Sequence, residues 1–439
     1  MSALDGCLPA AIRFAYSRSP YYRTMFDNLG IEPESITMAE DLRQLPFTNP
    51  DDVVRLSPYF RAAQGVTIYA SSGTTGKPKY SFFTPSDLER TYERTAASLK
   101  LCGFTANDVL AVAHGFGIWL IGTDFTISAQ KLGATVLPVG KGPSALHILE
   151  MMLATGVTYI ATSPSYGRRL ADLAAEKGIN LARSLKIKGL LLAGETVSTN
   201  LRSHLQHQWG AEHIFSCYGS TENGTIGCES EQHKDIHLWT DEFLFEVISL
   251  TSDQPVEEGE QGELVITTLT HEGMPLIRYR TGDLVSWHSR AVEGFPTKLS
   301  VRIFGRLDEA IVLEAGEKLW PHQVDEVLKH FPEVTDYQIV IREVTVDSIW
   351  LDRQDELHIL IVTDRTANDS EGLSLRIQKA LAEASLDFSA SAGFTAAITI
   401  DFVQENDLLQ TETGKTPRFV DQRQFPTVRS LITSTDRSV

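Results

Sequence analysis

The sequence predicts an α/β protein, with a large N-terminal domain of stacked βαβ units carrying an antiparallel appendage and a small α+β C-terminal domain. Three features of the 439 residues predict it. Strand-like and helix-like segments alternate through the first three hundred residues. Paired strand patterns take over after Phe243, and a βαββαβ order follows from about residue 306.

In the alternating region the pattern predicts strands at 108–113, 134–139, 187–193 and 213–218, with helices at 118–132, 165–177 and 199–209. That rhythm reads as stacked βαβ units around a largely parallel sheet. Thr84-Pro85-Ser86-Asp87 supplies a cap, a proline at the first helical position and an early acid. Leu88, Tyr92 and Leu99 then form an apolar stripe, so a helix runs to about Leu101. The appendage consists of strands at 244–249 and 262–269, separated by a polar loop. Beyond residue 306 come a short strand at 310–313, a helix opened by Pro321, strands at 337–342 and 356–362, a helix at 371–384 and a strand at 396–403.

Charge narrows the partners. Lys and Arg total 39 against 57 Asp and Glu, and the net charge of −18 repels polyphosphate backbones and anionic lipid surfaces. Nucleic acid and membrane are therefore not expected partners. The longest mostly apolar stretch, 109–122, is shorter than the roughly 20 residues that span a bilayer. The first twenty residues lack a secretory pattern, and Cys7, Cys102, Cys217 and Cys228 form no CxxC pair. A cytoplasmic protein with reduced thiols is expected.

Ser71, Ser72, Gly73, Thr74, Thr75, Gly76, Lys77, Pro78 and Lys79 form a loop between two strand patterns. Its glycines let backbone amides approach phosphate oxygens, its hydroxyls donate hydrogen bonds and its lysines balance charge. The alternative is an ordinary polar hairpin. It is not a Walker loop, because two residues rather than four separate its glycines. Gly414-Lys415-Thr416 imitates the end of such a loop, but Leu409 occupies the place of the first glycine. Gly115-Phe116-Gly117 opens like a dinucleotide fingerprint and then loses the spacing.

Six segments in order resemble the adenylate-forming enzymes: 71–79, Leu192-Ala193-Gly194-Glu195, Tyr218-Gly219-Ser220-Thr221-Glu222, Tyr279-Arg280-Thr281-Gly282-Asp283, Gly305-Arg306-Leu307-Asp308-Glu309 and Glu412-Thr413-Gly414-Lys415. The chain length, the 114–122 segment and the 236–247 stretch most resemble the phenylacetate–CoA ligase branch. The resemblance implies ATP- and magnesium-dependent conversion of a carboxylic acid to an acyl-adenylate, followed by transfer to coenzyme A. Residues 1–305 would then be the adenylation domain, 306–308 the hinge, and 309–439 a mobile domain carrying the adenylating lysine.

The same resemblance implies the roles of single residues. Thr74, Thr75 and Lys79 order the β- and γ-phosphates, while Ser71, Ser72, Gly73 and Gly76 shape the loop. Glu222 holds magnesium and Thr221 hydrogen-bonds the α-phosphate. Tyr218 stacks on adenine beside Gly219, Gly194 and Glu195 lie along the base edge, and Asp283 accepts the ribose hydroxyls. Arg306 contacts ribose or phosphate, and Asp308 is the pivot. Lys415 bridges the substrate carboxylate and the nucleotide.

In the resembling branch the segment matching His114, Phe116, Gly117, Ile118 and Trp119 lines the acyl pocket, and Tyr166 approaches from another strand end. These rings suit a small aromatic acid. A hydrogen bond from His114 would favour hydroxybenzoate or aminobenzoate types. Ile118 and Trp119 have an alternative as core positions of the following helix, and His114 as a core histidine. Some relatives hold a structural zinc. Here Arg302-Ile303-Phe304 replaces their thiol pair, leaving Cys228, His233 and His237 without a fourth ligand, so zinc is not expected.

Two other readings remain at this point. An adenylation enzyme loading a carrier protein's phosphopantetheine thiol needs the same first half-reaction. A nucleotide-binding protein without turnover would not need Glu222 and Lys415 together. A homodimer is compatible with the branch, although no interface is legible.

Overall fold

The computed structural model describes residues 3–71, 78–232, 234–292, 298–312, 318–345, 353–363, 370–384, 397–404, 407–409 and 416–423. Contacts divide the chain into two units, 1–196 with 205–304, and 197–204 with 305–439.

The first unit opens with helices α1 (Ala3–Arg18), α2 (Pro20–Leu29) and α3 (Pro50–Phe60). Proline at the first helical position starts α2 and α3, and Gly30, at φ 64°, ends α2 in the left-handed conformation. Their apolar faces bury Ile12, Tyr22, Phe26 and Phe60 in a cluster that also holds Met274, Leu276 and Tyr279. A hairpin of β1 (Thr67–Ser71) and β2 (Lys79–Phe83) follows, pairing Ser71 with Lys79. Next comes α4 (Pro85–Leu101), whose capping box forms as expected: the Thr84 hydroxyl accepts from the Asp87 amide, and Asp87 accepts from the Thr84 amide at 2.8 Å.

Strands and helices then alternate: β3 (Val109–Ala113), α5 (Leu120–Lys131), β4 (Thr135–Leu137), α6 (Ala145–Thr155), β5 (Tyr159–Thr162), α7 (Pro164–Glu176), α8 (Leu181–Ser184), β6 (Gly189–Ala193), α9 (Thr199–Trp209) and β7 (His213–Ser220). Strands β4, β3, β5, β6 and β7 lie side by side and parallel. Both β5 and β6 are buried along their whole length, as expected of strands covered on two faces.

The antiparallel strands are β8 (Gly224–Cys228), β9 (Ile236–Leu238), β10 (Phe243–Ile248), β11 (Gln261–Thr268), β12 (Tyr279–Ser289) and β13 (Leu299–Arg306). The appendage expected from the sequence is the continuation of the same sheet, in the order β10-β11-β12-β13-β9-β8-β7-β6-β5-β3-β4. Short polar connections mark hairpins in a sequence but do not reveal which edge they join, and here β8 joins them to the parallel strands.

The second unit has a hairpin of β14 (Ile311–Val312) and β15 (Lys318–Leu319), then α10 (Pro321–Leu328), β16 (Val334–Thr345), β17 (Arg353–Thr363), α11 (Ser370–Ala384), β18 (Ala397–Phe402) and β19 (Phe419–Asp421). Its sheet runs β18-β17-β16-β19, with β16 and β17 antiparallel. The expected βαββαβ order is present, extended by β15 and β19. Among the described residues no helix is long and apolar enough to cross a membrane.

Candidate active site

Neighbouring parallel strands deliver the candidate residues from their carboxyl ends. His114, Phe116, Gly117, Ile118 and Trp119 follow β3, Tyr166 lies in the first turn of the helix after β5, Gly194 and Glu195 follow β6, and Thr221 and Glu222 follow β7. Open α/β sheets form ligand crevices at that edge.

Glu222 is 2% exposed. Burial alone would raise its carboxyl, but the Lys79 ammonium beside it and hydrogen bonds from Lys79 and Tyr279 hold it below the usual carboxylate range. The ion pair with Lys79 and the bond donated by the Tyr279 hydroxyl at 2.7 Å both fall on Oε1. Lys79 also donates to the Tyr279 hydroxyl at 3.0 Å. Lys79, Tyr279 and Glu222 thus close a triangle from β2, β12 and the turn after β7.

An ionised carboxylate suits magnesium, which takes one or two protein oxygens and fills its octahedron with phosphate and water. Among the described residues there is no cluster of three or more His, Cys, Asp or Glu that would cage a metal by protein ligands alone. Cys228 and His237 face each other across β8 and β9; His233 lies outside the described residues.

The Tyr218 hydroxyl donates to Asp283 Oδ2 at 2.5 Å. Gly219 is exposed and Thr221 half-buried. Gly194 is left-handed, at φ 86°. The Glu195 carboxylate accepts from the Ser165 amide at 3.1 Å and the Ser165 hydroxyl at 2.8 Å, in the first turn of α7, whose N-cap is Ser163. Ser71 is half-buried at the end of β1, while Ser72, Gly73, Thr74, Thr75 and Gly76 lie outside the described residues, as does Lys415.

The segment after β3 separates two kinds of side chain. Helix α5 starts at Leu120, two residues later than the periodicity predicts, and Trp119 occupies its N-cap. Ile118 and Trp119 are 56% and 41% exposed, so the alternative of core positions does not hold. Buried His114 instead lies parallel to Phe125, with ring centres 5.8 Å apart. Phe116 packs towards Gly122 and Gly140, where a Cβ would approach its ring to 3.0 and 3.3 Å. Tyr166 is half-buried, with the Lys141 ammonium 5.0 Å from its ring centre.

In the second unit, Arg306 Nε donates to Asp308 Oδ1 at 2.9 Å and its amide donates to Glu309 at 3.2 Å. Tyr279 begins the Tyr279–Asp283 motif, whose spacing implies no role for its phenol. The motif pattern draws attention to its Asp, and only the fold brings the tyrosine to Glu222.

The family model for AMP-binding enzymes matches residues 29–270, and that for the AMP-binding enzyme C-terminal domain matches residues 316–423. The chain belongs to the AMP-binding enzymes. A phenylacetate-coenzyme A ligase of Thermus thermophilus is 33% identical over 350 residues, covering 77% of this chain and 78% of the relative. Another, from Aromatoleum evansii, is 30% identical over 425 residues, covering 94% and 92%. A crystal structure of 2-hydroxyisobutyryl-CoA ligase in complex with 2-HIB-AMP aligns with a TM-score of 0.82 over 99% of this chain and 92% of that one; at 20% identity the likeness shows the fold. Within the AMP-binding enzymes, the chain falls in the phenylacetate–CoA ligase-like branch that its motifs resemble.

Proposed function

We propose that this AMP-binding enzyme is an acid–thiol ligase that converts a small aromatic carboxylic acid to its acyl-adenylate and transfers the acyl group to coenzyme A. The ionised, buried Glu222 carries the reading. A buried carboxylate paired with Lys79 at the strand ends adds little to stability, which points to a site that handles charge.

In the first half-reaction a substrate carboxylate oxygen attacks the α-phosphorus of ATP and pyrophosphate leaves. Glu222 would hold magnesium, which neutralises phosphate charge when bound. Lys79, with Thr74 and Thr75, would bind the leaving phosphates, and Thr221 the α-phosphate. Tyr218 would pack on adenine and Asp283 accept the ribose hydroxyls, keeping the attacking and leaving groups in line. Lys415 would lie between the two anions as they approach. In the second half-reaction the thiol sulfur attacks the acyl carbon, its proton is lost and AMP departs. Asp308 would be the pivot between the two poses, with Arg306 beside it.

Phe116 and Tyr166 support an aromatic acyl group by offering rings near the strand ends, and the exposure of Ile118 and Trp119 leaves both available to a ligand. Free coenzyme A is the acceptor thiol in this reading because the relatives that match most of the chain are named for it. Four free cysteines suit a reducing cytoplasm.

Supplying ATP, magnesium and phenylacetate, benzoate, anthranilate or a hydroxybenzoate with free coenzyme A tests the acceptor and the acid together. Aryl-CoA formation is expected. Acyl-adenylate that accumulates and discharges only onto a carrier-protein thiol would replace coenzyme A as acceptor, and a clear kcat/KM preference for medium-chain fatty acids would remove the aromatic acid.

A further inference from the structure

We infer that Arg94, on α4, is a positioning residue for the magnesium carboxylate, acting through the backbone of the turn that follows Glu222. The inference rests on the reading of Glu222 given above. Arg94 is 5% exposed and makes four directed contacts. Nε donates to the Thr225 carbonyl at 3.0 Å, Nη2 donates to the Asn223 carbonyl at 3.2 Å and to the Thr91 hydroxyl at 3.1 Å, and Nη1 donates to Glu242 Oε2 at 2.6 Å.

Asn223 and Thr225 flank Gly224 immediately after Glu222, so one planar guanidinium bridges both sides of the turn. Its geometry suits this task, because the donors sit in a rigid fork and the charge persists at every physiological pH. Glu242 balances that charge and also accepts from the Thr270 hydroxyl at 2.8 Å, which fixes the outer side of the fork.

The turn lies close against α4. Gly224 adopts φ 67°, and a Cβ there would stand 2.6 Å from the Thr91 methyl carbon. A side chain that cannot hold both carbonyls would let the turn leave the helix, and Glu222 would move with it. A small displacement is enough to weaken a hard-cation site, whose ligands are held by their surrounding shell.

Arg94→Lys keeps the charge opposite Glu242 and loses the two-carbonyl bridge. ATP affinity of the full chain is measured by calorimetry with magnesium and with EDTA, and hydrogen exchange is followed across 219–226. The variant is expected to lose about tenfold of the affinity gained from magnesium, to bind ATP in EDTA as the parent does, and to exchange faster in that segment. An unchanged magnesium gain would overturn the inference. If Arg94→Lys lacks a cooperative melting transition, Glu242→Gln serves instead: about a threefold loss of the gain supports the inference and an unchanged gain overturns it. A parent protein whose ATP affinity ignores magnesium would refute the role of Glu222, a different result from a parent gain that Arg94→Lys leaves intact.

Discussion

The Tyr279 hydroxyl donates to Glu222 Oε1 at 2.7 Å, joining the first residue of β12 to the turn after β7 across 57 positions of sequence. Tyr279 is held in turn by the N-terminal helices. The Tyr22 hydroxyl accepts the Ile277 amide at 2.7 Å, and Thr48 exchanges backbone hydrogen bonds with Arg278 and Arg280. The helical layer at the start of the chain therefore sets the position of a side chain in the candidate site.

Tyr279→Phe keeps the ring in its apolar cluster and removes the bond to a charged acceptor, a contact worth about 1.5–3 kcal/mol. Magnesium- and ATP-dependent pyrophosphate exchange should fall by roughly ten- to a hundredfold, and the melting temperature should drop by several degrees because a buried bond to a carboxylate is lost. An exchange rate within twofold of the parent would separate Tyr279 from the work of Glu222.

Asp124 gives a pH-dependent prediction. Burial pushes its carboxyl up to about 6, against the lowering effect of hydroxyls donated by Thr95, Thr225 and Ser128 and of the nearby Arg94 charge. A folded-state pKa raised above the unfolded one stabilises the fold fully below the unfolded value, and that stability is lost as pH rises through the folded value. The parent should therefore lose up to about 3 kcal/mol relative to Asp124→Asn between pH 4 and pH 7. Parallel melting curves of the two proteins across that range would show that Asp124 titrates normally.

How much of this was legible in the sequence depends on distance along the chain. The α4 helix and its cap are local, and Thr84-Pro85-Ser86-Asp87 announces them. The alternation that builds β3 to β7 is also local, and six motifs in order carry the family. The α1 to α3 layer has no alternating pattern to reveal it. Tyr279 and Arg94 matter through partners more than fifty residues away, chosen by strand order, and no spacing records that choice. Trp119 illustrates the boundary problem, because an apolar run reads as helix interior until Leu120, buried behind it, is seen to be the first helical residue.

The Arg306 and Asp308 pair is about two-fifths exposed on each side, so its charge contributes little to stability. If Asp308 is the pivot, Asp308→Pro should slow adenylate formation and thioester formation unequally, since proline restrains φ there, while Asp308→Ala should disturb both much less. Measuring each half-reaction separately, with supplied acyl-adenylate for the second, decides it. Equal slowing of both steps by proline would move the pivot elsewhere.

The most direct test of the central claim is acid-dependent exchange of labelled pyrophosphate into ATP with magnesium, run over a panel of aromatic and aliphatic acids with the parent, Glu222→Gln and Lys415→Ala. Exchange is expected with one or more aromatic acids, strongly reduced in Glu222→Gln and abolished in Lys415→Ala, which should still form thioester from supplied acyl-adenylate. A parent protein that binds ATP yet exchanges pyrophosphate with no acid would contradict the account and leave a nucleotide-binding protein in its place.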